Sequence, residues 1–282
     1  MGGVVRLRRE PELTMNRPCI TLLTDFGVLD SYVGQMKGVI AAINPAAIVI
    51  DLTHSIPPQQ IGQAALLLSD AIDAFPAGTI HLVVVDPGVG SARRAIAAEI
   101  GSHRFVCPDN GLLSEILKRR PLQRAVRLDQ SRWWRPTVSG TFHGRDLFAP
   151  VAAAWSLGHD LAEFGSHLED PLTIISLPDC RIESDAHGAM IAIHGQVLAI
   201  DHFGNVVTNI PHSTLPTGVP TTKVQIGDRT LSGIVRCYAD GREGECVALF
   251  GSSDRLEIAV VNGHAAKHLR ADLGQTVTVR FG

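Results

Sequence analysis

Short apolar runs and longer stretches of helical period alternate through the first half of the chain. CITLLT (Cys19–Thr24), AIVIDLT (Ala47–Thr53), IHLVVVDPGVG (Ile80–Gly90), AIAAEI (Ala95–Ile100) and RFVCP (Arg104–Pro108) read as strands. Helices are predicted from about Ser31 to Ile43, where Asn44-Pro45 stops the pattern, from about Gln59 to Ala74, near Leu112 to Leu117, and from Leu147 to Leu157. Runs that are apolar throughout, rather than at every second residue, suit strands covered on both faces. The alternation therefore predicts an α/β domain with a mostly parallel sheet flanked by helices.

From about Gly188 the texture changes. AMIAIHGQVLAID, VVTNI, KVQIG, GIVRCYAD, CVALFG, LEIAV and TVTVRF are short alternating runs punctuated by Gly, Asn and Asp. That pattern predicts a smaller C-terminal domain, an antiparallel sheet or barrel. The polar, Pro-containing stretch SLPDCRIESDAH (Ser176–His187) separates the two textures. The expected organisation is an N-terminal extension over 1–17, an α/β domain over 18–178 and a C-terminal β domain over 187–282.

Composition narrows the classes of function. The chain has 282 residues, 45% of them apolar, which excludes a disordered protein. Charged residues are only 19%, fewer than the usual ~25%, which hints at surface buried between subunits. A net charge of −3 leaves no basic excess for a phosphate backbone, so nucleic acid and anionic membrane are poor partners. The five cysteines are scattered without a C-x-x-C pair and read as free thiols rather than a disulfide framework or a zinc site. No run of 18 apolar residues is present, and the first residues carry charges without an apolar core. The expectation is a cytoplasmic protein with a disordered N-terminal extension.

In open α/β sheets ligands bind beyond the carboxyl ends of the strands. Three apolar runs end there in polar or Gly-rich sequence: Thr24-Asp25-Phe26-Gly27, Asp86-Pro87-Gly88-Val89-Gly90 and Cys107-Pro108-Asp109-Asn110-Gly111. A fourth polar cluster, Ser139 to Asp146, precedes a helix. Asp25 reads either as a turn carboxylate or as a ribose-diol acceptor. Asp86 and Arg93 flank a Gly-rich turn that can return the chain and pair them, and His143 sits in a Gly-bounded polar segment. On residue type alone these three are either a catalytic cluster or a salt bridge with an unrelated histidine. Asp25-Phe26-Gly27 lacks the other kinase motifs, Gly88-Val89-Gly90 lacks the third glycine of a dinucleotide fingerprint, and His264 with His268 lacks the glutamate of a zincin.

The segments TDFGVLDSYVGQMKGVI, DLTHSIPP, VVVDPGVGSARR, PDNGLLS, GTFHGRDLFAPVAA and D-H-FGNVVTNI, in that order, resemble the S-adenosyl-L-methionine (SAM) hydroxide adenosyltransferases. These are adenosine-forming SAM hydrolases, homologous to enzymes that attack the same substrate with fluoride or chloride. The resemblance runs from about Cys19 to the C-terminus. It implies an N-terminal α/β domain, a C-terminal β-barrel-like domain, and a homotrimer binding SAM between neighbouring subunits. It implies hydrolysis of SAM to adenosine and L-methionine by activated water at ribose C5′, with no metal or other cofactor.

The positions matching the family's catalytic triad are Asp86, Arg93 and His143. Asp25 matches the carboxylate that grips the ribose hydroxyls, and Asp201 the acid near the methionine ammonium. Phe203 and Asn205 match residues contacting the adenosine, Ser252 matches a serine at the methionine carboxylate, and Asn110 joins the substrate-binding set. The chain departs from the halogenating branch at Asp86, Val89 and His143, which replace its halide-pocket residues. Ser253 stands where an arginine lies beside the carboxylate-binding serine, and Gln59 aligns near the aromatic that covers the sulfonium. The alternatives are a SAM-dependent halide transferase and a SAM-binding module with little turnover.

Overall fold

In the computed structural model, residues 17–216 and 222–281 are described, and they fall into two units that divide between Ile175 and Ser176. The expected extension lies outside the described residues except for Arg17, whose Nε donates to Ala46 O at 2.9 Å.

The first unit is built on seven strands: β1 (Cys19–Thr24), β2 (Ile48–Thr53), β3 (Ile80–Val84), β4 (Ala95–Ile100), β5 (His103–Pro108), β6 (Leu122–Leu128) and β7 (Gly165–His167). They lie in the order β2-β1-β3-β5-β4-β6-β7. β2, β1, β3 and β5 run parallel, and β4, β6 and β7 extend the sheet by antiparallel pairs. The switch at β4 follows from chain length. Only Gly101 and Ser102 join β4 to β5, a hairpin that cannot cross the sheet. Gly101 takes the positive φ that this tight turn demands.

Helices α1 (Tyr32–Ile43), α2 (Ile61–Ala71), α3 (Ser114–Leu117) and α4 (Ala149–Ser156) cover the sheet. Strand side chains alternate between two cores, as the period of two requires. Ile20, Leu22, Leu82, Val84 and Ala97 meet α1 and α4, whereas Leu23, Val83, Ile96 and Ala98 meet α2 and α3. A buried Leu, Ile or Val contributes about 1.5–3 kcal/mol each, so these two layers hold the strand ends rigidly in place. A π-helical segment, Gly144–Phe148, leads into α4 where the sequence pattern predicts only a helix start. β6 and β7 have no counterpart among the predicted strands. LQRAVRL buries only Ala125, Val126 and Leu128, too sparse a pattern to read as a core strand.

The second unit contains β8 (Arg181–Ser184), β9 (Met190–Ile200), β10 (Val206–Pro211), β11 (Thr222–Ile226), β12 (Arg229–Ser232), β13 (Cys246–Phe250), β14 (Arg255–Val260), α5 (Ala265–Leu269) and β15 (Thr276–Phe281). The antiparallel order is β12-β11-β15-β9-β10-β14-β13, with β8 on β9. Val235 N–H, just past β12, donates to Ala248 O of β13, so the two ends of the sheet nearly close into a barrel. Ile193, Val206, Val224, Ile258 and Val277 fill it. The run GIVRCYAD, strand-like in its alternation, is not a strand. The Asp240 carboxylate accepts from the N–H groups of Arg236 and Cys237 and winds the segment into a short 3₁₀ turn.

Candidate active site

The parallel strands β1, β3 and β5 end at one edge of the first sheet, and each releases a predicted site residue just beyond its carboxyl end. Asp25 follows β1, Asp86 follows β3 and Asn110 follows β5. Thr24 pairs with Val84, so Asp25 and Asp86 leave adjacent strands at nearly the same level. Asn110 Nδ2 donates to Val85 O at 2.9 Å and ties the third turn to the second. Its Oδ1 is buried without a partner, an acceptor still to be satisfied.

Asp86, Arg93 and His143 meet. Arg93 Nε lies 3.0 Å from both Asp86 oxygens, Nη2 closes the fork on Oδ2, and Nη2 also stands 2.8 Å from His143 Nδ1. The guanidinium face packs on the Phe148 ring at 5.2 Å from its centroid. The Asp86 side chain is 4% exposed and that of Arg93 11%, so this pair is desolvated rather than a surface ion pair. Guanidinium N–H groups only donate, so His143 Nδ1 accepts and the proton of the neutral ring is on Nε2. Burial and the adjacent Arg93 cation both hold the His143 pKa below its ordinary value, which keeps the ring neutral.

Glycine brings the loops together. Gly90 has φ +77° and lies so close to Gly140 O that a Cβ there would come under 3.0 Å from it. The Asp86–Arg93 turn and the loop preceding His143 therefore touch backbone to backbone. Asp146, wholly buried, pins the far side of that loop. Its carboxylate accepts from Ser139 N at 2.9 Å, from Arg135 Nη1 at 3.0 Å and from Arg145 Nε at 2.6 Å. These donors outweigh the burial that opposes its charge and hold its pKa below the carboxylate range. The Phe142 ring meets Phe26 edge-on at 5.8 Å, so the neighbours of His143 and of Asp25 pack on each other. Asp25 Oδ2 accepts from Gln59 N–H at 2.8 Å.

The second unit holds the remaining predicted residues around a cavity of about 990 Å³ lined by Asp201, Phe203, Asn205, Ser252, Tyr238 and Glu257, among others. Asp201 Oδ1 accepts from Asn205 N at 2.8 Å and Oδ2 from Asn205 Nδ2 at 2.9 Å. Tyr238 O–H reaches Glu257 Oε2 at 3.3 Å. Burial, with Asp201 nearby, raises the Glu257 pKa, and burial beside Glu257 raises that of Tyr238. Phe203 is 73% exposed, an aromatic face held out to solvent. No group of three or more His, Cys, Asp or Glu side chains is placed to hold a metal ion among the described residues.

Residues 20–165 match the SAM hydroxide adenosyltransferase N-terminal domain, and residues 195–278 match the C-terminal domain of the same family. The chain belongs to the SAM hydroxide adenosyltransferase family. It is 38% identical to an (R)-S-adenosyl-L-methionine hydrolase of Salinispora tropica over 266 residues, covering 94% of this chain and 98% of the relative. A fluorinase of Nocardia brasiliensis is more distant, 27% identical over 94% of this chain and 98% of its own. The crystal structure of an uncharacterized conserved protein from Thermotoga maritima superposes with a TM-score of 0.85 at 33% identity, covering 93% of this chain and 99% of that one.

Around the Asp86–Arg93–His143 cluster, sequence reasoning misses Asp146 as an anchor of the His143 loop. Its spacing carries a signal: an acid three residues after His143, at the start of a helical run, lies on the same turn. Tyr238 and Glu257 give none, because they meet only where the turn after β12 folds against β14.

Proposed function

We propose that the chain hydrolyses SAM to adenosine and L-methionine by attack of water on ribose C5′. The observation that carries this is the desolvated Asp86–Arg93–His143 cluster at the carboxyl edge of the sheet, in a chain of this family. The sulfonium already activates C5′, since methionine leaves as a neutral thioether, so the reading calls for no metal or cofactor. The site must place an oxygen ~3–3.5 Å from the carbon, in line with the C–S bond, and assist loss of its proton.

The hydrogen bonds divide the labour. His143 offers Nε2–H, a donor, because Nδ1 is occupied by Arg93. Asp86 has both oxygens in the Arg93 fork but keeps further lone pairs, and it is the acceptor of the cluster. Water donates one hydrogen to Asp86 and receives the His143 Nε2–H on oxygen. As the O–C5′ bond forms, the C5′–S electron pair goes to sulfur and the water proton passes to Asp86, then to solvent. Arg93 fixes both groups at once.

Asp25 takes the ribose hydroxyls and Asn110 Oδ1 stands ready for a further donor. In the second unit Asp201 takes the ammonium, Phe203 and Asn205 the adenosine and Ser252 the methionine carboxylate. A homotrimer with sites shared between subunits goes with this reading, supported by the low charged fraction and by Val28 and Leu29, 75% and 98% exposed. Light scattering reads it as a mass about three times 30.2 kDa. A cytoplasmic location goes with five unpaired cysteines. No described helix is long and apolar enough to cross a membrane.

Chromatography of products from SAM, with and without chloride, tests the function. Adenosine and methionine in both reactions support it. A 5′-chloro nucleoside would favour halide transfer, a reaction that the Asp86 carboxylate opposes by repelling a desolvated anion. SAM retained without turnover would leave a binding module.

A further inference from the structure

We infer that Thr24, His54, Asp51 and Lys37 form a side-chain relay that holds the Asp25 turn in its ribose-binding shape, with His54 as the central positioning residue. The inference rests on the reading of Asp25 as the ribose-diol acceptor and assigns a purpose to the DLTH segment, which the reaction itself leaves unused.

The relay spans three elements. Lys37 Nζ of α1 donates to Asp51 Oδ2 of β2 at 2.6 Å. His54, just past β2, hydrogen-bonds Thr24 Oγ1 at the end of β1 through Nδ1 at 2.9 Å, while its Nε2 stands 3.0 Å from Asp51 Oδ1 in charge contact without hydrogen-bond alignment. Asp51 and His54 reach the Thr24 side together because the β1–β2 pairing slips by one residue. Leu22 pairs with Asp51 but Leu23 with Thr53, leaving Leu52 as a bulge. Bulges beside sites re-aim side chains in this way. The carboxylate beside Nε2 favours a proton there by its charge, although the two are not aligned for a hydrogen bond, so Nδ1 accepts the Thr24 O–H. Thr24 Oγ1 in turn accepts from Phe26 N–H at 3.2 Å.

Asp25 lies between these two anchored residues. The same segment grips the turn twice more: Gly27 N–H donates to His54 O at 2.8 Å, and Gln59 N–H donates to Asp25 Oδ2 at 2.8 Å. Gln59 holds φ +67°, a left-handed conformation unusual for a residue with a side chain, and that conformation directs its N–H at the carboxylate. A buried imidazole bracketed by a hydroxyl and a carboxylate fixes direction, which an apolar residue of similar volume cannot do.

The test compares kcat/KM for SAM and for its 2′-deoxyribose analogue. Wild type favours SAM by on the order of ten- to a hundredfold, the value of a hydrogen bond to a charged acceptor. Asp25→Ala abolishes the preference. His54→Ala lowers it at least about fivefold and raises KM for SAM more than it lowers kcat, and His54→Gln restores most of it. Should His54→Ala not fold, Asp51→Ala at the solvent side of the relay carries the same expectation. If Asp25→Ala erases the preference while folded His54→Ala and Asp51→Ala keep it intact, the relay is only structural and the inference is wrong. If Asp25→Ala itself keeps the preference, the ribose assignment fails and the relay's purpose with it.

Discussion

Replacing Gly90 with alanine tests whether the contact between two loops builds the Asp86–Arg93–His143 cluster. A Cβ at this position comes under 3.0 Å from Gly140 O, and φ +77° is strained for alanine. Restoring ordinary contact, ~3.4 Å, requires the loops to part by on the order of 1 Å. Arg93 Nη2 and His143 Nδ1 are 2.8 Å apart and ride on opposite sides of that contact. The same displacement stretches them past hydrogen-bonding reach. Losing a hydrogen bond to a charged group is worth ~1.5–3 kcal/mol, and a 1 Å misplacement of reacting groups costs about 10²-fold in rate. Gly90→Ala should therefore lower kcat for adenosine release about a hundredfold with little change in KM. Gly34→Ala in α1, where an added Cβ meets nothing within 4 Å, should keep full activity and gain roughly 0.5–1 kcal/mol of stability. Steady-state kinetics with thermal melts decide the matter, and wild-type kcat in folded Gly90→Ala would refute this reasoning.

Asp86→Asn and His143→Ala should each lower kcat by ~10²–10⁴-fold, and near wild-type turnover in both would remove the cluster from catalysis. The acid limb of wild-type kcat/KM should fall below the ordinary histidine value of ~6.5, because burial and Arg93 depress the His143 pKa; a limb above ~7 contradicts this. In the core, His81 bonds Thr21 Oγ1 at 2.7 Å, and burial with His103 beside it pushes its pKa down to about 3. The unfolded chain therefore binds a proton that the native ring refuses, so this contribution is full above pH ~6.5 and lost from there down to about 3. Its slope is at most ~1.4 kcal/mol per pH unit, and denaturant melts of His81→Asn should show a shallower acid loss than wild type. Gly251→Ala, whose Cβ would fall on the Glu257 carboxylate, should weaken SAM binding about tenfold by calorimetry, and unchanged affinity would show that the Glu257 wall of the cavity takes no part in binding.

What the sequence makes legible is local or periodic. Strands covered on both faces announce themselves as unbroken apolar runs, and the polar residues that end those runs mark Asp25, Asp86 and Asn110 as neighbours at one sheet edge. Asp86 and Arg93 share one Gly-rich turn, so their pairing is readable as a possibility. His143 joins them from fifty residues away, brought there by the tight passage of Gly90 under Gly140 and by the Asp146 anchor of its loop. Spacing cannot report such a contact, and the triad is named through resemblance. The relay behind Asp25 is hidden for a related reason: a one-residue bulge decides which face Asp51 and His54 share. GIVRCYAD misleads because Asp240 captures two backbone N–H groups locally, and this capture outweighs the alternation of the run.

In the proposed reaction a water held by Asp86 and His143, both fixed by Arg93, displaces methionine from C5′. Turnover of SAM in ¹⁸O-labelled water, followed by mass analysis of the nucleoside, reads it directly. One labelled oxygen at the adenosine 5′ position, formed by wild type and slowed at least about a hundredfold in Asp86→Asn, is the predicted result. A nucleoside without label, or label incorporated equally fast by Asp86→Asn, would contradict it.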